Sequence, residues 1–480
     1  MSAFQAKIAL SARRRAAGDV VRFGGALAVA AISLLPGAIA AQSPATGGFV
    51  EPATSTSVRP LLTAAQIQSL LPARGAFVFP APYLTQGIRI TNATDCGGND
   101  CVNYVGYSYW RNTNDHAGSG TMYIFLTLDR ARGGGGPTLF SLDKTGGTVT
   151  KVGPLFGASS ALSWATGEGW YFSATRPTVL YLNDGPALKR YDVLSKVSET
   201  VFDVSTQPGL LGTNRMVWQL HSSSDDRVHS ATLRDASTYA DLGCFAYQED
   251  LKQFSYYPIR STSSSYDECQ IDKSGRWLLI KENVDSMYGE DNRIIDLSSG
   301  TETTLLDQNG AAGHSDSGYG YMVAADNWDS HPNAIKLWKF GQSPLQGRLV
   351  YHNMDWNVEA PNHVSHANAK PTVVPEQQYA CGSGANRTNS NRANEIISFP
   401  LDGSLRVLIV APVMTDMNVA GGGDDYSKVP KGNIDVTGQY FIWTSNMGGN
   451  RLDAFLVRVP SQVLTGGSLG APTHFRVVRP

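Results

Sequence analysis

A turn leading into an aromatic, apolar strand recurs along this chain and limits its fold more than any other feature. Gly169-Trp-Tyr-Phe172, Asp272-Lys-Ser-Gly-Arg-Trp-Leu-Leu279 and Asp435-Val-Thr-Gly-Gln-Tyr-Phe-Ile442 share this grammar. Polar residues keep a similar beat: His221, Asp267, His314 and His363 are spaced by 46, 47 and 49 residues. A period of roughly 40–50 residues is that of four-stranded propeller blades, whose equivalent positions point into one central funnel. Units read out at 76–153, 158–206, 213–260, 264–308, 312–355, 360–416 and 424–460. The expected fold is all-β, a seven-bladed β-propeller over residues 76–480, with six or eight blades as the alternatives. The last unit is short. An N-terminal strand or His474-Phe-Arg-Val-Val478 is expected to complete it, because joining the two ends removes free sheet edges.

Residues 1–40 read as a cleavable signal peptide. Lys7, Arg13, Arg14 and Arg15 precede an apolar run from Gly24 to Ala40, and Ala38-Ile39-Ala40 fits the small-residue cleavage rule. Pro36 and the run's length argue against a membrane anchor. The expected product is secreted or periplasmic, a monomer with no membrane contact after cleavage. Residues 41–75 read as a linker and a short helix, with Thr63 capping and Pro72 stopping it.

The leader carries five Lys/Arg and one acid, so cleavage takes the net charge from −2 to −6. Only 17% of the chain is charged and no basic run stands out, which excludes a nucleic-acid partner of the usual electrostatic kind. Five cysteines fit an oxidising compartment. Cys96 with Cys101 would close a small loop, Cys244 with Cys269 would join neighbouring blades, and Cys381 is left over.

Candidate site residues cluster at the starts of the units. His314 and Asp316 are expected as ligands, or as a base with its orienting carboxylate, against the plainer reading of a hydrogen-bonded turn. His363 and His366 are three apart. On an extended strand that spacing puts them on opposite faces, so they share an ion only where the backbone turns. Imidazole and carboxylate ligands suit Mn, Zn or Fe. His221 is a candidate base or a polar strand end. Asp267 and Glu268 are a carboxylate pair for glycoside hydrolysis, or turn acids. Lys428, Lys431 and Asn433 would add polarity and charge to the funnel floor. Asp424 and Asp425 would serve a Ca ion, or simply a surface loop. Ser468 lies in the Gly-x-Ser-x-Gly match Gly466–Gly470, but Pro472 follows where a nucleophile elbow needs a helix. Trp328, Trp356 and Trp443 would stack on sugars or pack between blades.

The Asp-x-Ser/Thr-Gly-x-aromatic grammar resembles the TolB-type, or WD40-like, β-propeller repeats of secreted bacterial proteins. The histidine layout resembles, more loosely, the oligogalacturonate lyase family of seven-bladed propellers. That family holds a divalent metal with three His and a Gln, and uses a further His as base. The resemblance covers residues 160–460 as repeats. It implies a metal (Mn, Zn or Ca) on His314, His363 and His366, with His221 as the base that removes a proton α to a uronate carboxylate. Asp267, Asp316, Lys431 and Asn433 would then contact substrate. The competing expectation is a non-catalytic propeller that binds a glycan or a protein.

Overall fold

Each Asp-x-Ser/Thr-Gly turn closes a hairpin by using its aspartate as a cap. Asp272 Oδ1 accepts from the backbone of Arg276 and Trp277 at 3.0 Å each, and Asp435 Oδ1 accepts from Gln439 and Tyr440 at 2.8 and 2.6 Å. Gly275 and Gly438 take φ of +74° and +79°, a region that favours glycine. Asp272 Oδ2 also accepts from Gly320 N of the following blade at 2.8 Å, so the cap stitches blades together.

The computed structural model describes residues 43–464, apart from 104, 161, 163–168, 211–213, 261–265, 288, 311, 327–333, 354–362 and 420–424. The expected signal peptide, Trp328, Trp356, Asp424, Ser468 and the segment 474–478 lie outside the described residues. The described strands form seven antiparallel sheets, the blades of a seven-bladed propeller. Their inner strands are Thr113–Asn114, Tyr171–Phe172, Arg215–Ser222, Tyr266–Ile271, Ala312–Ser317, His363–Ser365 and Asn433–Ile434. The second strand Tyr440–Ser445 is buried along its whole length, whereas the outer strand Val149–Pro154 is mostly exposed. This is the gradient expected when inner strands are pressed between blades.

Two differences from the sequence reading concern the N-terminal region. Gly75–Val78 and Gln86–Arg89 do not open the first blade. They pair onto Asp453–Arg458 and complete the seventh, which is the closure by an N-terminal strand expected for the short last unit. Residues 41–60, expected as a linker, contain the strand Phe49–Glu51, a fifth strand on the sixth blade. Arg59 anchors that segment on Glu51 and Glu395. The short helix Ala64–Leu70 forms as expected, with Thr63 and Gln66 in a capping box. The disulfides are Cys96–Cys101 and Cys244–Cys269, the second joining blades three and four, and Cys381 is a buried free thiol. No helix among the described residues is long and apolar enough to cross a membrane.

Candidate functional site

The inner strands of blades three, four and five each carry a register irregularity, at Trp218/His221, Tyr266/Cys269 and Ala312/Ser315. Such bulges re-aim side chains; Glu268 and His314 lie within theirs, and His221 directly follows the one in blade three. The three residues meet one end of the funnel together with His363 of blade six. Tyr107 and Tyr109, just before the first inner strand, link them. Their rings lie 5.3 Å apart. Tyr109 is 4.8 Å from the His221 ring, and Tyr107 is 5.9 Å from His314 and 5.6 Å from His363. His314 and His363 stack at 4.5 Å.

At blade four, Glu268 rather than Asp267 holds the funnel position. Its Oε1 accepts from Lys281 Nζ and Gln270 Nε2, both at 2.7 Å. Its Oε2 lies 3.8 Å from His221 Nε2, too far for a hydrogen bond. Among the described residues, neither of those two buried atoms has a hydrogen-bond partner. Burial opposes ionisation of Glu268, but the charge of Lys281 holds its carboxyl well below the usual range. Asp267 acts on Lys281 through its charge.

All three funnel imidazoles are held neutral at pH 7. Burial pushes His221 down, with Glu268 working against it. Burial, then the charge of Lys281, pushes His314 down to about 4. His363 lies well below 6.5 because of burial, then His314 and Lys431. The tautomer of His221 follows from its neighbour. Tyr171 donates its single hydroxyl proton to the Tyr109 carbonyl at 2.6 Å, so its oxygen accepts from His221 Nδ1 at 2.9 Å. The lone pair of His221 is therefore at Nε2, facing Glu268.

The expected ligand trio does not converge. His366 sits past the end of its strand with both ring nitrogens engaged: Nε2 with the Tyr321 hydroxyl at 2.7 Å and Nδ1 with the Tyr379 carbonyl at 3.0 Å. Odd spacing has separated it from His363, whose two ring nitrogens have no partner among the described residues. Among the described residues, the histidines enter no group of three His, Cys, Asp or Glu ligand atoms close enough to hold one ion. The described donors therefore do not make a three-histidine metal cage.

Asp316 is likewise internal, pairing with Lys273 at 2.7 Å and accepting from His366 N at 2.6 Å. Lys431 is buried at the funnel, donates to the Tyr426 carbonyl and lies 3.5 Å from that ring's centre. Asn433 donates to Asn112 at 2.9 Å, and its own Oδ1 has no partner among the described residues. Trp443 is buried and bonded to the Val413 carbonyl. Tyr107, Tyr109, Tyr171 and Lys281 are absent from the expected set. A lysine inside the apolar run Trp277-Leu-Leu-Ile-Lys281 was a readable sign of a buried ion pair. The tyrosine run lay inside the first unit, ahead of its inner strand Thr113–Asn114, and its lack of a histidine or carboxylate gave no sign of a site.

No protein-family model matches the sequence, and no curated protein matches it. Solved structures do. A structure of oligogalacturonate lyase in complex with manganese aligns with a TM-score of 0.56 at 12% identity, over 85% of this chain and 99% of that one. Oligogalacturonate lyase from Vibrio parahaemolyticus aligns with a TM-score of 0.54 at 9% identity, over 85% and 100%. TolB from Acinetobacter baumannii aligns more partially, with a TM-score of 0.34 at 12% identity over 61% and 63%. What this chain shares with the two lyases is the seven-bladed propeller fold.

Proposed function

We propose that the funnel is the active site of an exported lyase acting on an acidic, uronate-containing glycan. The observation that carries this reading is the pairing of His221 Nε2, a buried lone pair, with an unpaired oxygen of an ionised Glu268. Two acceptors facing each other at this distance are satisfied by a group that gives up a proton. His221 takes the proton from the carbon α to the substrate carboxylate. The resulting electron pair forms the carbon–carbon double bond and expels the glycosidic oxygen, which takes a proton from solvent water as it leaves. Glu268 then stabilises the imidazolium. Lys431 and Lys281 bring positive charge to the sugar carboxylate and the developing enolate. The tyrosine rings offer flat faces for sugars. Of the expected donors only His314 and His363 face the funnel, so the chain's own residues carry each step. The two disulfides support an oxidising, exported setting.

The test is a screen of uronate polymers for new absorbance from unsaturated ends, with His221→Ala beside the wild type and metal content measured on both. The variant should lose about 10²–10⁴-fold in rate. Because burial lowers the His221 pKa, kcat/KM should hold as pH falls below 6.5. Polymer that binds in the funnel without gaining double bonds would overturn the lyase reading in favour of a non-catalytic glycan-binding propeller. Stoichiometric metal lost in a His314→Ala variant would overturn the metal-free mechanism.

A further inference from the structure

Away from the funnel histidines, blade four brings three carboxylates together. Asp285 lies in the loop between Trp277–Glu282 and Asp291–Asp296, Asp291 opens the latter strand, and Asp307 begins the single turn Asp307–Asn309. One oxygen from each lies within 4.8 Å of the others. Among the described residues, no Lys or Arg forms an ion pair with any of them. We infer that these three residues build a calcium site.

The second observation is Asp307 itself. It is 2% exposed, and its Oδ2 has no hydrogen-bond partner among the described residues. Burying an ionised oxygen unpaired is costly, so native proteins give such atoms a donor or a metal. The backbone passes directly over this atom at Gly289. A Cβ there would stand 2.4 Å from Asp307 Oδ2, and φ is +86°. A larger residue would fill the space in front of the free oxygen.

The other two carboxylates are held in place by neutral donors. Asp285 accepts from Met287 N at 2.9 Å and Gln308 Nε2 at 2.8 Å, and Asp291 accepts from Val284 N and Asp307 N at 2.8 Å each. These bonds orient the groups without cancelling their mutual repulsion, which a dication removes. The ligands are all oxygen, which suits hard cations and disfavours Zn. Calcium–oxygen bonds of about 2.3–2.6 Å accommodate oxygens up to about 5 Å apart, while magnesium demands about 2.0–2.1 Å and strict octahedral geometry.

The place matters. Asp307 precedes His314 by seven residues, in the connection that feeds the inner strand of blade five. Glu290, beside Asp291 in sequence, feels the charges of Lys281 and Glu268. Calcium would fasten the loop of blade four to the segment that delivers His314. The site does not depend on the lyase reading.

The experiment uses purified, chelator-treated protein, titrated by calorimetry with CaCl2 and separately with MgCl2, with thermal unfolding in each. Wild type should bind one Ca2+ per chain and gain Tm, with a much weaker response to Mg2+. Asp307→Asn and Gly289→Ala should each lose the calcium response, and the exposed-loop variant Asp285→Asn provides a third reading if either fails to fold. His314→Ala should bind calcium as wild type does. Absence of calcium heat and of any Tm change in wild type would overturn the site. So would variants that bind calcium unchanged. An equal response to both ions would overturn the calcium assignment.

Discussion

Acid should destabilise this propeller through His366, by an amount set by its surroundings. The ring is fully buried, donates from Nδ1 to the Tyr379 carbonyl and accepts at Nε2 from the Tyr321 hydroxyl. A second ring proton removes that acceptor. Burial, then the charge of Lys273, lowers the pKa from 6.5 to about 4. The unfolded chain takes up this proton near pH 6.5 and the folded chain only near 4, so the unfolded state binds more protons between them. Stability is then fully present above pH 6.5 and falls as pH drops through the window. Linkage puts the loss from this one residue at about 2 kcal/mol by pH 5 and about 3 kcal/mol by pH 4. His366→Gln keeps a donor and an acceptor but does not titrate. Urea unfolding of both proteins from pH 7 to pH 4 isolates the term: wild type should lose about 3 kcal/mol more than the variant. Parallel losses would refute the reasoning and place the acid sensitivity elsewhere.

Lys281→Met should cost about 3–5 kcal/mol in urea unfolding, because it strands the buried Glu268 charge, and adding Glu268→Gln should recover much of the loss. Equal stability of the single and double variants would contradict that. Replacing Cys244 and Cys269 together by Ser frees a 25-residue loop, and chain entropy sets the loss at about 3.5 kcal/mol. An unchanged midpoint would mean the bond adds nothing to the fold.

The blades were legible because their signal is local. An aspartate that caps the turn, a glycine at positive φ and an aromatic strand fit within eight residues, as Asp272–Leu279 shows. Ring closure was only half legible. Gly75–Val78 and Gln86–Arg89 pair with each other like any hairpin, and nothing local marks Ile88 as the partner of Leu456. At the site, His221, His314 and His363 were readable from their period. His366 was misread because it shares a segment with His363 while facing another blade through Tyr321. Glu268 was named beside Asp267, but only the bulge at Tyr266/Cys269 decides which of them enters the funnel. The tautomer of His221 rests on Tyr171 and Tyr109, from two other parts of the chain, and no spacing rule reaches it.

The clasp of the seventh blade also sets an order of events in time. Ile88 pairs with Leu456, 368 residues later in the chain. At about 5–20 residues per second, synthesis leaves residues 75–90 waiting roughly 20 to 70 seconds for their partner strand. During that interval Phe77, Phe79, Ile88 and Ile90, all buried in the finished ring, have no blade to cover them. Six blades can assemble while the seventh sheet is still missing its middle strand. The hazard of wrong pairing is then governed by chain length and elongation rate, not by the stability of the closed ring. A chaperone that sheltered residues 75–90 over this period would raise the yield of folded protein without changing its melting temperature.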